Sequence, residues 1–404
     1  MSQVLRKVLR ADTCAGCGLC QSITGGAVEV ELNERGYYRP SLDDNISLEQ
    51  DTLIRAVCPA ITVQHGKSDI PLDPIWGPVL QMQTGYAQDA KIRFKGSSGG
   101  VLSALQIHLL ESGKVEAVIN IGASDEAPLL NQVYLCKTVE DIASNAGSRY
   151  APSAPLRDIH HLIKGLTRVA FVGKPCDVSA LRRLSEYDSA LKSKQFYFLS
   201  FLCAGVPSQN ATNALVQEMG YQPDQVAKFR YRGEGWPGFA KVEAVDGSSA
   251  KMSYNDSWGK ILNRQLQTRC KICPDGTGEF ADISCGDAWH GNDKGFPDFK
   301  ELAGRSAIIV RSRKGQELLR DAVDEGDVVL EPSEFSLDDL SKMQPYQVNR
   351  RKMVIPRSLA FLLFRRQRVR STFRSDFAVF KTVSVLRGLR EFLGTMNRLV
   401  FGRM

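Results

Sequence analysis

The sequence has little that would make a membrane-spanning or hydrolytic protein. No window approaches 18 consecutive apolar residues, so no transmembrane helix is expected. The opening residues, MSQVLRKVLRADT, have no apolar core of the kind that drives secretion. A cytoplasmic location is therefore expected, with a peripheral place at the inner membrane surface left open. Histidine is scarce: the five in 404 residues form no metal-ligand spacing, and H-E-x-x-H is absent. No repeat and no low-complexity segment is seen. Aromatics are 8% and are not spaced for base stacking, which argues against nucleic acid. The hydrophobic share of 43% and charged share of 24% are those of an ordinary globular chain, long enough for two or three domains.

The net charge of +7 is unevenly placed. Residues 350–404 hold 14 Lys/Arg and 2 Asp/Glu, leaving the preceding residues mildly acidic. The tail also has apolar residues every three or four positions, at Phe377, Phe380, Val383, Leu386, Leu389, Leu393, Met396 and Val400. Arg387, Arg390 and Arg398 lie between them. One basic amphipathic helix is expected, either docked on the acidic body or in contact with a membrane surface or acidic protein.

What the sequence does have is cysteine, ten residues in clusters. Clustering in a large chain expected to be cytoplasmic favours metal over disulfides. Cys14-Ala-Gly-Cys17-Gly-Leu-Cys20 is a C-x2-C-x2-C run. Three thiolates so spaced wrap one face of a 4Fe–4S cube, and the small residues between them let backbone N–H groups approach the sulfides. Cys58, followed by Pro59, is the natural fourth ligand. Structural zinc is the alternative, although zinc prefers two C-x2-C pairs. Residues 21–26, Gln-Ser-Ile-Thr-Gly-Gly, place no Cys-Pro three residues after the triple, so this module holds one cluster. A second group begins with Cys270-Lys-Ile-Cys273. Its other two ligands come from Cys176, Cys203 and Cys285, among which spacing does not decide. Cys136 reads as a core residue.

The pattern along the chain predicts an α/β protein with three parts. Residues 1–66 form a small ferredoxin-like iron–sulfur module, and a proline-bearing linker at 68–78 follows. Residues 67–345 form a mixed α/β domain, and 346–404 a helical tail. Strands are expected at 79–88, 115–122, 168–172, 195–203, 307–311 and 328–330. Helices are expected at 99–112, 177–187 (capped by Asp177), 208–220 and 315–325. Residues 225–254 read as an antiparallel insertion with a hairpin at Asp246–Gly247.

Three segments could hold a phosphate-bearing cofactor. Gly96-Ser97-Ser98-Gly99-Gly100 precedes a helix whose N-terminus favours anions. In 145–153, Ser148, Arg149 and Tyr150 lie in a polar loop, and Arg149 can fork onto phosphate or carboxylate. Asp287, Trp289 and His290 cluster after the second cysteine group, where Trp289 and His290 either stack on a ring or pack in the core. Lys174, beside Cys176, either neutralises a reduced cofactor or is a surface lysine.

Taken in order, CAGCGLC, FKGSSGGVLSAL, GSRYAPS, VGKPCDVSALRRL, SFLCAGVPS, CKICPD and ADISCGDAW resemble the coenzyme F420 hydrogenase/dehydrogenase beta-subunit family, which includes 7-hydroxymethyl chlorophyll a reductase. The resemblance covers roughly residues 10–345. It implies a FAD held non-covalently by the Ser97–Gly100 loop, the Ser148–Tyr150 loop and the Asp287–Trp289 segment. It also implies a second 4Fe–4S cluster on Cys176, Cys203, Cys270 and Cys273, with Cys285 demoted, and so two clusters in all. The implied activity is that of an oxidoreductase between a ferredoxin-like or deazaflavin donor and an organic small molecule, with Lys174 and His290 as the candidate catalytic groups. The other implied reading is an electron-transfer subunit whose partner carries the catalysis. Arg365, Arg366, Arg368 and Arg370 of the tail are candidate docking residues for an acidic donor.

Overall fold

The computed structural model describes residues 2–42, 46–65, 70–291, 298–365 and 367–402. Arg366 and residues 68 and 69 of the expected linker lie outside them. The centre of the fold is an eight-stranded mixed sheet. Its strands in chain order are β1 (Gln81–Ala87), β2 (Ala117–Ala123), β3 (Asn131–Cys136), β4 (Arg168–Gly173), β5 (Gln195–Phe201), β6 (Ile283–Asp287), β7 (Ser306–Val310) and β8 (Val328–Leu330). They lie in the order β8-β1-β7-β6-β5-β4-β2-β3. The inner four, β2, β4, β5 and β6, run parallel. The flanking strands pair antiparallel.

Parallel strands are covered on both faces and read as continuous apolar runs. In β4 the alternation sends Val169 and Phe171 into one core and Ala170 and Val172 into the other. Helix α1 (Val101–Glu111) contributes Leu105 and Leu109 to the second core. Helix α2 (Pro175–Tyr187) contributes Val178, Leu181 and Leu184 to the first. α2 begins earlier than expected. Lys174 is its N-cap and Pro175 its first residue, where the missing N–H is no loss. Asp177, expected as the cap, instead lies inside the first turn, buried and paired with Lys174.

Helix α3 (Gln209–Glu218) is capped by Ser208, whose side chain accepts from the Ala211 amide. The expected antiparallel insertion follows as three strands, Val226–Arg230, Phe239–Ala244 and Ser249–Ser253. Gly247 supplies the positive φ its turn needs. Helix α4 (Arg313–Asp324) packs beside α1.

The tail differs from a single amphipathic helix. It forms α5 (Pro345–Lys352), α6 (Val354–Arg365), α7 (Phe373–Phe380) and α8 (Val385–Val400). The break before α8 falls where Ser384 caps the new helix and accepts from the Arg387 amide. The inner face of α8 docks: Leu399 is buried in the first core beside Ala360 and Phe361, with Phe392 and Met396 packed against it. Between α6 and α7 the chain reaches the N-terminal module. Arg370–Ser371 pairs in parallel with Thr62–Val63, and Gln367 donates to the Thr13 hydroxyl and the Ala60 carbonyl. No helix among the described residues is long and apolar enough to cross a membrane.

Candidate cofactor and metal sites

The first cysteine set is built by a loop and two short helices. Gly16 and Gly18 take positive φ, which lets the run turn around its own sulfurs. The Gly16 amide donates to Cys14 Sγ at 3.4 Å. Helix Leu48–Val57 ends at Cys58, so Pro59 falls just after the C-terminus. Cys14, Cys17, Cys20 and Cys58 all line one small cavity of about 30 Å³. Its remaining wall is largely apolar, including Leu5, Val8, Ile23, Val30 and Ile54. Burial, followed by the neighbouring Cys14, pushes the Cys58 thiol up to about 12. Cys17 and Cys20 are raised too, in each case first by burial.

The second set forms at the carboxyl edge of the parallel strands, where ligand sites of α/β sheets collect. Cys176 follows β4 and Cys203 follows β5. Cys270 lies in the short helix Thr268–Lys271, and Cys273 just after it. The four are close enough to act on one another's charge. Burial first, then Cys270 and later Cys273, raises Cys203 to about 12, and Cys176 is raised by burial and Asp177, with smaller contributions from Cys273 and Cys203. Cys285 stands apart. It lines the large cavity described below, and burial alone raises it to about 12. Cys136 is buried and bonded to Asn120 and Asn145.

The same fit test applies to both sets. A tetrahedral zinc holds its sulfurs about 3.8 Å apart, yet among the described residues no three cysteine sulfurs gather within 4.8 Å. The four soft donors of the first set around a shared apolar space suit a 4Fe–4S cube.

Arg269 lies between the two sets and is 2% exposed. Its Nη2 donates to the Pro59 carbonyl at 2.9 Å. Its charge acts on Cys58 on one side and on Cys273, Cys176 and Cys270 on the other. Nη1 is buried with no hydrogen-bond partner. The tail supports the second set from outside. Gln347 and Arg350 donate to the Cys203 carbonyl at 3.0 and 2.9 Å. Arg351 pairs with Glu279 and Asp376.

Against the second set lies a cavity of about 500 Å³. Cys203, Lys174, the Ser97 loop, the Ser148–Tyr150 loop, Asp287 and Trp289 line it. The helix-opening loop is tied down rather than free. Ser97 Oγ accepts from the Ser148 amide at 2.5 Å, joining the two loops. Ser98 Oγ is within hydrogen-bond distance of the Gly286 and Arg305 carbonyls and Ser306 Oγ. The segment 96–100 also fits G-x-S-x-G, the nucleophile pattern of hydrolases. Ser98 has no histidine among these partners, so it holds the loop to the sheet. A Cβ on Gly99 would meet the Gly85 carbonyl and Ser306 amide at 2.7 Å, which fixes that residue as glycine. Gly100 caps α1 with φ +75°.

Arg149 does not offer the expected free fork. Nε donates to Asn131, and its other nitrogens to the Phe229, Pro128 and Leu130 carbonyls, so the guanidinium shapes the loop. A buried cation at the cavity wall is Arg232. It grips Asp287 bidentately at 2.6 and 2.9 Å and lies over Tyr254 and Trp289. Trp236 also donates to Asp287 at 2.8 Å and stacks on Trp289, rings 4.8 Å apart. Asp287 therefore orients an aromatic wall. His290 is not among the cavity-lining residues; it stands edge-on to Trp236, and burial and then Arg305 lower its pKa. Lys174 does line the cavity. Burial opposes its charge, but Asp177 at 2.6 Å outweighs this and raises its pKa. It is a cation held by Asp177 at the cavity wall.

Two family models match most of the chain. Residues 82–159 match the N-terminal model of the coenzyme F420 hydrogenase/dehydrogenase beta subunit, and residues 166–335 match the C-terminal one. The chain belongs to the coenzyme F420 hydrogenase/dehydrogenase beta-subunit family. Among its relatives is the coenzyme F420-dependent sulfite reductase of Methanocaldococcus jannaschii, 25% identical over 87% of this chain. This chain spans 52% of that protein's length. The coenzyme F420 hydrogenase subunit beta of Methanococcus voltae is 29% identical over 63% of this chain and 83% of its own. The chloroplastic 7-hydroxymethyl chlorophyll a reductase of Oryza sativa is 22% identical over 76% of this chain and 60% of its own. A chain of the F420-reducing NiFe hydrogenase complex from Methanosarcina barkeri shares the fold, with TM-score 0.57 and 23% identity, over 74% of this chain and 99% of that one.

Proposed function

We propose that this chain is an iron–sulfur flavoprotein oxidoreductase, with 4Fe–4S clusters on the two cysteine sets, FAD in the cavity, and electrons passing between a ferredoxin-like or deazaflavin donor and an organic small molecule. The observation that carries this reading is the linear order of the sites. Arg269 touches the surroundings of both cysteine sets, and Cys203 of the second set lines the cavity. Clusters supply one electron at a time, and a flavin couples such steps to two-electron chemistry.

The chain's own residues have definable roles around these groups. Lys174 holds positive charge at the cavity wall, opposite any anion formed there. Arg232 and Asp287 fix the aromatic wall, and the Ser97–Ser148 link fixes the loop at the N-terminus of α1, where a phosphate is favoured. Arg350 and Gln347 set the backbone at Cys203.

The test is an absorption spectrum of anaerobically purified protein, with iron, sulfide, zinc and flavin counted per chain. About eight irons and about one FAD are expected. Zinc without iron or flavin, after expression with both supplied, overturns the reading. A second reading is favoured by the relatives named as subunits and by the hydrogenase-complex neighbour: an electron-transfer subunit whose partner binds the substrate. Turnover by the isolated chain with a reduced donor separates the two.

A further inference from the structure

We propose that the outward face of α6 and α8 is a docking surface for an anionic lipid bilayer. The argument begins with the width of the apolar arc on α8. At about 100° per residue, its apolar and small side chains from Thr395 round to Leu386 cover roughly half the helix circumference. The body covers one side of that arc, through Gly388, Phe392, Thr395 and Leu399. The adjoining side, with Val385, Leu386, Leu389, Leu393 and Val400, faces outward; Leu386 is 81% exposed and Leu393 52%. α6 packs along α8 and adds Leu359, Leu362 and Leu363, the last 65% exposed. More than half of the exposed large apolar side chains among the described residues belong to the tail. Exposed apolar side chains gathered on two packed helices mark an interaction site.

Charge selects the occupant. Residues 350–404 contain two acids, Asp376 and Glu391. Asp376 is buried against Arg351, and Glu391 is held by Arg357 at 2.8 Å and Arg398 at 3.2 Å. Arg387 and Arg390 continue the turn beside the apolar side of α8, and Arg365 ends α6, all exposed. The outward charges on these helices are therefore cationic. Apolar side chains flanked by arginine on a helix lying flat fit the headgroup level of an anionic membrane. A second copy of the chain fits poorly, because two such faces would set arginine against arginine. This inference is independent of the cofactor reading.

The test is co-sedimentation of the full-length holoprotein with large vesicles. One set is phosphatidylcholine alone, and the other has about one phosphatidylglycerol in three lipids. Binding to the anionic vesicles is expected, weakening with salt, and several-fold weaker to the neutral ones. Leu386→Asp/Leu393→Asp should cut the partition by about tenfold or more. Arg387→Glu/Arg390→Glu should remove the preference for anionic lipid. These positions are exposed, so unchanged circular dichroism checks that the variants fold. Equal partition of wild type and the aspartate variant overturns the proposal, as does absence of vesicle binding. So does a dimer in light scattering that the aspartate variant breaks, which would assign the face to a second copy.

Discussion

Lys174 and Asp177 are a buried ion pair with side chains 11% and 1% exposed. Removing one charge strands the other in a poorly solvated site. Lys174→Met should therefore destabilise the protein by about 3–5 kcal/mol, and Lys174→Met/Asp177→Asn should recover much of it. Denaturant unfolding of the two variants measures this. Arg269 has a different consequence. On the two-cluster reading, its buried positive charge favours the reduced form of both clusters. Arg269→Gln should lower both reduction potentials, on the order of 50–100 mV, while Arg269→Lys retains most of the effect. An EPR-monitored redox titration decides it, and unchanged potentials in both clusters would sink the idea. The cysteines were visible in sequence because a tight run of thiols has few other uses. Lys174 apart, the buried cations around the two sites were not. Arg232 meets Asp287 across 55 residues and Arg350 meets Cys203 across 147, so no local pattern links them. Arg269, directly before Cys270, carried the one usable signal.

At the scale of elements, the loop before α1 depends on a close approach between backbones. Gly99→Ala drives a methyl into the Gly85 carbonyl and the Ser306 amide, neither the end of a flexible side chain. A lower melting temperature is expected together with reduced flavin retention, read as flavin per chain and by thermal unfolding. Apolar strands with a turn at each end were legible, and β8 falls where its pattern places it. β3 and β6 were not. β6, Ile-Ser-Cys-Gly-Asp, has no strand-like alternation and owes its conformation to β5 and β7 on either side. The two-helix end of the tail escaped notice because the apolar spacing runs on across the break at 381–384.

The whole molecule is tied together by a buried cluster drawn from distant stretches. Glu279 meets His65 at 2.7 Å and Arg351 at 3.5 Å, and Arg351 also meets Asp376. Burial raises the Glu279 carboxyl, but Arg351 and His65 outweigh it and hold it below its ordinary value of 4.5. A depressed carboxyl stabilises the fold above the unfolded value, and that contribution is lost as pH falls through the folded one. Stability should therefore drop as pH goes below about 4.5, and Glu279→Gln should flatten that slope, as measured by denaturant midpoints across the acid range.

The contact of Gln367 with Thr13, 354 residues apart, bears on how the protein is made. A ribosome releases the N-terminal cysteine loop long before it makes the segment that closes over it. α5, which braces Cys203, also emerges after every cysteine has been synthesised. Both cysteine sets consequently stay open throughout translation, and their final enclosure waits on the last sixth or so of the chain.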